Sequence, residues 1–183
     1  MSHAAVSPVL VIHGGAGVVV RDMTPAKEQA VRAAMTQALQ QGHARLKAGD
    51  SALDAVTAAI TVLEDDPHFN AGKGAVFTHD GRNELDAAIM DGDTLRAGAV
   101  AGVEHVKNPI LLARAVMEHS PHVMLSGAGA EAFAKEQGIA LVDAAYFRTD
   151  ARWQQLQRAL KEDAAKQPHA DVETAKHFGT VGA

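Results

Sequence analysis

The sequence has no cysteine and few aromatic residues, and each shortage excludes a class of protein. Without cysteine there is no disulfide, no thiol nucleophile and no thiolate metal site, although the compartment stays undecided. Aromatic residues make up 4% of the chain while 47% of it is hydrophobic, so alanine, valine and leucine have to form the core. The 183 residues are enough to bury one such core in a single domain.

Basic clusters and long apolar runs are missing as well. The 17 Lys and Arg residues are outnumbered by 22 Asp and Glu, for a net charge of -5, and no basic cluster points to nucleic acid as a partner. The apolar run at residues 9–12 is only as long as a strand, and nothing reaches transmembrane length or resembles a signal peptide. We therefore expect a cytoplasmic protein with neither a membrane nor a nucleic-acid partner.

Local signals predict the secondary structure. Residues 9–13 are rich in Val and Ile and end in glycines, which predicts a buried strand. Thr24-Pro25 and the pair Ser51 and Asp54 each predict a helix start. Three further segments, with small apolar residues typical of strands covered on both faces, predict strands at residues 75–78, 84–90 and 97–103.

The composition changes towards the end of the chain. In residues 161–177 the only large aliphatic residue is Val172, and such a segment buries too little apolar surface to offset the entropy lost on ordering. We therefore predict one domain over residues 1–160, a mobile linker over residues 161–178 and a cleavage junction over residues 179–183.

Gly179 and Thr180 follow this linker, and their order has a chemical meaning. A threonine hydroxyl is a weak nucleophile until a base takes its proton, and a freed α-amino group on the same residue, with a pKa of about 7.7–8.0, is such a base. Glycine before the threonine lets the hydroxyl approach the preceding carbonyl. Alone, this dipeptide is also a chance occurrence, so its meaning depends on the rest of the chain.

Two other motifs leave alternatives open. The glycine-rich turn at residues 13–17 is either a backbone cradle for an anion or an ordinary tight turn, and it lacks the spacing of a dinucleotide site. The loop at residues 63–77 is either a set of carbonyls around a hard cation or a solvated acidic loop. His119 and His122 are separated by Pro121, which argues against a zinc site.

Four segments, in this order, resemble the plant-type L-asparaginase/isoaspartyl peptidase family of N-terminal-nucleophile hydrolases. They are IHGGAG at residues 12–17, FNAGKGAVF at 69–77, ELDAAIMDG at 84–92 and GTVGA at 179–183. The resemblance implies an α/β fold that forms a four-layer αββα sandwich. It also implies self-cleavage before Thr180 into α and β subunits assembled as (αβ)₂, with this chain as the α region ending just past the cleavage site.

The resemblance also implies roles for single residues. Thr180 matches the catalytic nucleophile, Gly179 precedes the cleaved bond, and Asn70 matches the asparagine beside the nucleophile. The glycine turn matches an element near the site that influences processing, through His13, Gly14, Gly15 and Gly17. No cofactor is implied for catalysis, but a structural sodium ion is, held by the main-chain carbonyls of Leu63, Glu64, Asp66, Phe69, Ala71 and Lys73.

The implied activity is hydrolysis of isoaspartyl dipeptides and L-asparagine. In this family the residues that bind the substrate and the oxyanion lie in the β part, so we expect activity only when the β part is present. Two alternatives of the same fold are a glycosylasparaginase and a threonine protease. An alternative of another class is a non-catalytic binding or scaffold protein that keeps the fold.

Overall fold

The structure, a computed structural model, describes residues 7–15, 23–165 and 180–183. Within these residues the chain has a mixed α/β fold of five α-helices and a three-stranded sheet in the order β1-β2-β3. The helices are α1 (Pro25–Ala48), α2 (Ala52–Asp65), α3 (Pro109–His119), α4 (Gly127–Glu136) and α5 (Asp150–Ala165). The strands are β1 (Leu85–Met90), β2 (Ala97–Val103) and β3 (Met124–Ser126).

Both predicted helix starts are confirmed by their caps. The Thr24 hydroxyl accepts a hydrogen bond from the Lys27 N–H at 3.2 Å, directly before α1. Before α2, the Ser51 hydroxyl accepts from the Asp54 N–H at 3.1 Å, and the Asp54 carboxylate accepts from the Ser51 N–H at 3.1 Å. This reciprocal pair satisfies two backbone donors that a helix start leaves free.

Small residues let the first two helices pack closely. Ala34, Ala38 and Gly42 are the buried residues of α1, and they recur every four positions along one side. A Cβ atom at Gly42 would lie 2.8 Å from the Ala55 carbonyl oxygen of α2. The core is therefore built largely from short side chains, as the scarcity of aromatic residues predicts.

The sheet packs against α3 on one face. Strand β2 is antiparallel to β1 and parallel to β3, and a Cβ atom at Gly98 would lie 2.1 Å from the Ala113 carbonyl oxygen of α3. The predicted strands β1 and β2 are confirmed. The prediction that β1 is covered on both faces is wrong for the described residues. Leu85 and Ile89 are buried while Asp86, Ala88 and Met90 are exposed, because no described element covers the second face.

Two predicted strands are wrong. Residues 9–13 form no strand, and the side chains of Val9 and Val11 are 83% and 74% exposed. Only His13 is paired, in an isolated bridge with Gly182. The prediction fails because Val and Ile content favours a strand but does not supply a neighbouring strand to pair with its backbone. Residues 75–78 follow the short 3₁₀ turn Gly72–Gly74 as irregular chain.

Helix α5 corrects the predicted linker. The helix runs to Ala165, so the predicted start of the linker at Lys161 is wrong. Lys, Glu and Ala extend an existing helix at little cost, which makes the low apolar content compatible with helical structure here. Residues 166–178 of that prediction, with Gly179, lie outside the described residues. Within the described parts of the chain, no helix is both long and apolar enough to cross a membrane.

Candidate active site

A groove of about 930 Å³ brings together two residues that are far apart in the sequence. Asn70, from the loop after α2, and Thr180 both line it. The exposed face of β1 forms one wall, and residues 180–183 lie along the groove. The two predicted catalytic residues therefore share one cavity.

The segment carrying Thr180 is held by the glycine turn. The His13 N–H donates to the Gly182 carbonyl oxygen at 2.7 Å, and the Gly182 N–H donates to the His13 carbonyl oxygen at 2.9 Å. Val181, which lies between Thr180 and Gly182, packs against the hydrophobic core. Within the described residues, no side chain forms a hydrogen bond with the Thr180 hydroxyl.

The glycine turn also contacts the loop that carries Asn70. A Cβ atom at Gly14 would lie 3.0 Å from Met35 Sδ and 3.2 Å from a ring carbon of Phe69. Gly15 has φ of 101°, a left-handed conformation that glycine adopts without strain. Gly14 and Gly15 thus let the turn pass close to Phe69, while Gly17 lies outside the described residues.

Asn70 is fixed by its own loop. Its Oδ1 accepts a hydrogen bond from the Val76 N–H at 2.9 Å, which closes residues 70–76 into a compact turn. Within this turn, the Ala71 carbonyl oxygen accepts from the Gly74 N–H at 3.0 Å. Asn70 is half-buried, its Oδ1 is held by the Val76 N–H, and the residue lines the groove.

The C-terminal end of α2 leaves carbonyl oxygens without their usual helical donors. The donor that a continuing helix would offer to the Leu63 carbonyl is residue 67, which is Pro67 and has no N–H. For the Glu64 carbonyl the donor would be the His68 N–H, but that group donates to Asp66 Oδ1 at 2.8 Å. Free carbonyls at a helix C-terminus carry partial negative charge and suit a cation.

The loop then curls tightly back onto this helix end. Gly72 has φ of 46°, and a Cβ atom there would lie 2.3 Å from the Glu64 carbonyl oxygen. A Cβ atom at Gly74 would lie 2.1 Å from the Phe69 carbonyl oxygen and 2.6 Å from that of Pro67. Hard cations prefer oxygen donors of this kind, so the carbonyls present fit the predicted sodium ion.

Other side chains of this loop serve its packing. Phe69 is buried in the core, and the Lys73 Nζ lies 5.5 Å from the centre of the Tyr146 ring. Asp66 Oδ1 lies 2.8 Å from His68 Nδ1 as well as from the His68 N–H. Within the described residues, no three His, Asp or Glu side chains are grouped so that they could hold a metal.

Glu64 also contributes a buried carboxyl group to the groove. Its Oε1 accepts a hydrogen bond from the Ile110 N–H at 3.0 Å in the first turn of α3, while Oε2 is buried without a hydrogen-bond partner. Burial raises the pKa of this carboxyl to about 8, against the opposing effect of the hydrogen bond from the Ile110 N–H. The sequence assigned Glu64 only a main-chain role, since an acidic residue at a helix end is usually solvated.

Two residues that the sequence analysis missed hold the backbone next to Asn70. Arg152 of α5 donates through Nε to the Gly74 carbonyl oxygen at 2.8 Å. The buried Asn83 donates through Nδ2 to the carbonyl oxygens of Ala75 and Val76, at 3.0 and 3.1 Å. Neither residue lies in a recognisable motif, because both bonds join parts of the chain that only the fold brings together.

Several known proteins are similar to this chain in sequence. A family model described as asparaginase matches residues 6–183. The chain is 52% identical to an isoaspartyl peptidase of Salmonella typhimurium, and the match covers 96% of this chain and 57% of that protein. It is 50% identical to an isoaspartyl peptidase of Escherichia coli, over 96% of this chain and 56% of that protein.

A more distant relative also matches nearly the whole chain. A human isoaspartyl peptidase/L-asparaginase is 40% identical, over 97% of this chain and 55% of that protein. The chain thus spans about half the length of the curated relatives it matches. Because the family model and these relatives match nearly all of its length, the chain belongs to the asparaginase family.

Proposed function

We propose that this chain is the α part of a self-processing amidohydrolase that hydrolyses isoaspartyl dipeptides and L-asparagine. Thr180, freed as an N-terminus by cleavage after Gly179, is the nucleophile. The observation that supports this most directly is the shared groove of Thr180 and Asn70, next to a glycine turn that holds the Thr180 segment. The names of the relatives supply the substrate class, isoaspartyl peptides and asparagine.

The chemistry follows from a threonine with its own amine. The α-amine takes the proton of the Thr180 hydroxyl as Oγ1 attacks the side-chain amide carbonyl of the substrate. The protonated α-amine then gives this proton to the amide nitrogen, the C–N bond breaks, and the nitrogen leaves as an amine or as ammonia while an acyl-enzyme ester remains. Water then attacks the ester, releasing aspartate and restoring the hydroxyl. Asn70 offers an amide at the edge of the groove to position the reacting groups.

A sodium ion would serve structure rather than chemistry in this proposal. The carbonyls of Leu63 and Glu64 at the end of α2, with those of Asp66, Phe69, Ala71 and Lys73, are the donors that would hold it. When bound, the ion neutralises the partial negative charge of these oxygens. It would thereby keep the loop closed and Asn70 in place.

The rest of the protein is proposed from the length of the relatives. A β part following Ala183 would supply the substrate-binding residues and a second sheet. That sheet would cover the exposed face of β1, where Asp86, Ala88 and Met90 lie, and complete a four-layer αββα sandwich. Two αβ units would form the (αβ)₂ assembly. The cytoplasmic location stays a prediction from the sequence.

The test uses the full-length precursor and its Thr180→Ala and Thr180→Ser variants. Intact-mass analysis should show a fragment ending at Gly179 for the wild type, slower cleavage for Thr180→Ser, which keeps a hydroxyl, and none for Thr180→Ala. Normal cleavage of Thr180→Ala would refute the role of Thr180.

Substrate assays separate the alternatives once cleavage is complete. We expect turnover of β-aspartyl-leucine, with asparagine as a secondary substrate. The rate should decrease as the pH drops below the amine pKa of about 7.7–8.0, because the base becomes protonated. Turnover of a glycosylated asparagine alone would favour a glycosylasparaginase, and cleavage of an internal protein peptide bond alone would favour a threonine protease. If no substrate were turned over, the alternative of a non-catalytic binding or scaffold protein would be favoured.

A further inference from the structure

Asn83 has a buried side-chain amide that forms hydrogen bonds with the loop on which Asn70 lies. It lies in the irregular segment just before β1, and only 6% of its surface is exposed. Both N–H groups of its side chain are engaged, on the carbonyl oxygens of Ala75 and Val76. Burying an amide is unfavourable unless its hydrogen bonds are made, and these two bonds satisfy both donors while restraining two successive peptide groups.

The restrained peptide determines how the Asn70 amide is oriented. The Val76 N–H lies 2.9 Å from Asn70 Oδ1, and a backbone N–H only donates. The atom of the Asn70 amide that faces Val76 must therefore be the oxygen, which turns Nδ2 away from the loop. Within the described residues Asn70 Nδ2 makes no hydrogen bond, and the residue borders the groove that also holds Thr180.

We propose that Asn83 is a positioning residue that makes Asn70 present an N–H donor to the groove. By holding the carbonyls of Ala75 and Val76, Asn83 keeps the Val76 N–H directed at Asn70 Oδ1. Without Asn83, the buried Ala75 carbonyl loses its partner and the peptide at Val76 is free to rotate. The Asn70 amide then flips, and its oxygen competes with its nitrogen for the groove.

An N–H donor in this groove holds an oxygen or nitrogen lone pair of the reacting groups in position, whereas a carbonyl oxygen in its place repels that lone pair. The catalytic consequence therefore rests on the proposed function. The orientation of Asn70 does not, because it follows from hydrogen bonds within the described residues. The two parts are separable by experiment.

The kinetic test is a double-mutant cycle in the full-length, cleaved enzyme, with β-aspartyl-leucine as substrate. Asn83→Ala should lower kcat about 10- to 100-fold with a smaller change in KM, as expected for a misplaced active-site group. In an Asn70→Ala background, Asn83→Ala should lower kcat less than twofold, since the residue it acts through is gone. An equal loss in both backgrounds would overturn the proposal.

A matched control separates positioning from lost stability. Val116→Ala removes buried side-chain volume from α3, away from the groove, and should lower the melting temperature while kcat stays within about twofold. If Val116→Ala reduced kcat as much as Asn83→Ala at the same fall in melting temperature, Asn83 would be merely structural. Asn83→Ser keeps one donor, so its kcat should lie between those of the wild type and Asn83→Ala. It is used in place of Asn83→Ala if that variant does not fold.

The structural test does not depend on activity. Hydrogen–deuterium exchange of a peptide spanning residues 70–77 reports the exchange rate of the Val76 N–H. This rate should be at least about tenfold faster in Asn83→Ala than in the wild type, and the same as in the wild type in Val116→Ala. Unchanged exchange in Asn83→Ala would overturn the proposal even in an active enzyme. Faster exchange in a protein with no hydrolase activity would keep the positioning of Asn70 and reject the proposed function.

Discussion

His13 and Gly182 exchange both of their backbone hydrogen bonds, at 2.7 and 2.9 Å, although they lie at opposite ends of the chain. This bridge is the contact through which the glycine turn holds the Thr180 segment beside the groove. It connects a motif near the N-terminus of the sequence to the groove that Thr180 lines. The turn holds the Thr180 segment through these two backbone bonds.

Gly182→Pro should break this bridge. Proline has no N–H to donate to the His13 carbonyl, so we expect self-cleavage of the full-length precursor to slow by about tenfold or more. Gly182→Ala is the matched control, because its Cβ would meet no atom closer than 3.8 Å and the N–H is retained. Intact-mass time courses measure both rates, and equal cleavage of the two variants would contradict the role of the bridge.

Gly72→Ala should destabilise the loop. Its φ of 46° strains a residue with a Cβ, and that Cβ would lie 2.3 Å from the Glu64 carbonyl oxygen. We expect a loss of at least about 2 kcal/mol in the free energy of unfolding, measured by urea denaturation. Gly92→Ala is the control, since a Cβ there meets nothing within 4 Å, and it should unfold like the wild type.

Sodium should stabilise the protein if the carbonyls at the end of α2 bind it. At constant ionic strength, replacing choline with Na⁺ should raise the melting temperature, because a ligand that binds only the folded state adds about 2.7 kcal/mol at 100 times its Kd. The increase should be absent in Gly72→Ala, whose loop cannot close. A melting temperature independent of Na⁺ would argue against the site, as would a divalent ion held by side-chain carboxylates in a high-resolution map.

Asp54 should make stability depend on pH in the acid range. Its carboxylate accepts a hydrogen bond from the Ser51 hydroxyl and lies 2.7 Å from Arg114 Nη1, and these partners, the Ser51 hydroxyl above all, lower its pKa to about 2. The depressed pKa means that the unfolded chain binds the proton more readily. The stabilisation is therefore present above about pH 3.8 and is lost as pH falls towards about 2.

Asp54→Asn tests this dependence. Melting temperatures measured between pH 2 and pH 6 should differ most between wild type and Asp54→Asn above about pH 4 and converge towards pH 2. Asp93→Asn, at an exposed turn residue, should follow the wild-type curve over the same range. A constant difference between wild type and Asp54→Asn at every pH would show that the substitution acts through something other than ionisation.

The sequence by itself determined the features whose causes are local. Thr24-Pro25 and the pair Ser51 and Asp54 start helices because the cap and the first turn lie within a few residues of each other. Strands β1 and β2 followed from short apolar runs between turn residues. The family and the proposed nucleophile Thr180, by contrast, came from matching motifs, since Gly179-Thr180 means little as a dipeptide.

Only the tertiary structure decided what depends on a distant partner. Residues 9–13 have the composition of a strand, but no described strand lies beside them, and His13 alone finds a partner in Gly182. The carboxyl of Glu64 is buried, and the Ile110 N–H of α3, distant in the sequence, donates to it. Asn83 orients Asn70 through bonds that no spacing in the sequence reveals, because a hydrogen bond between two loops exists only once the fold has placed their backbones within reach.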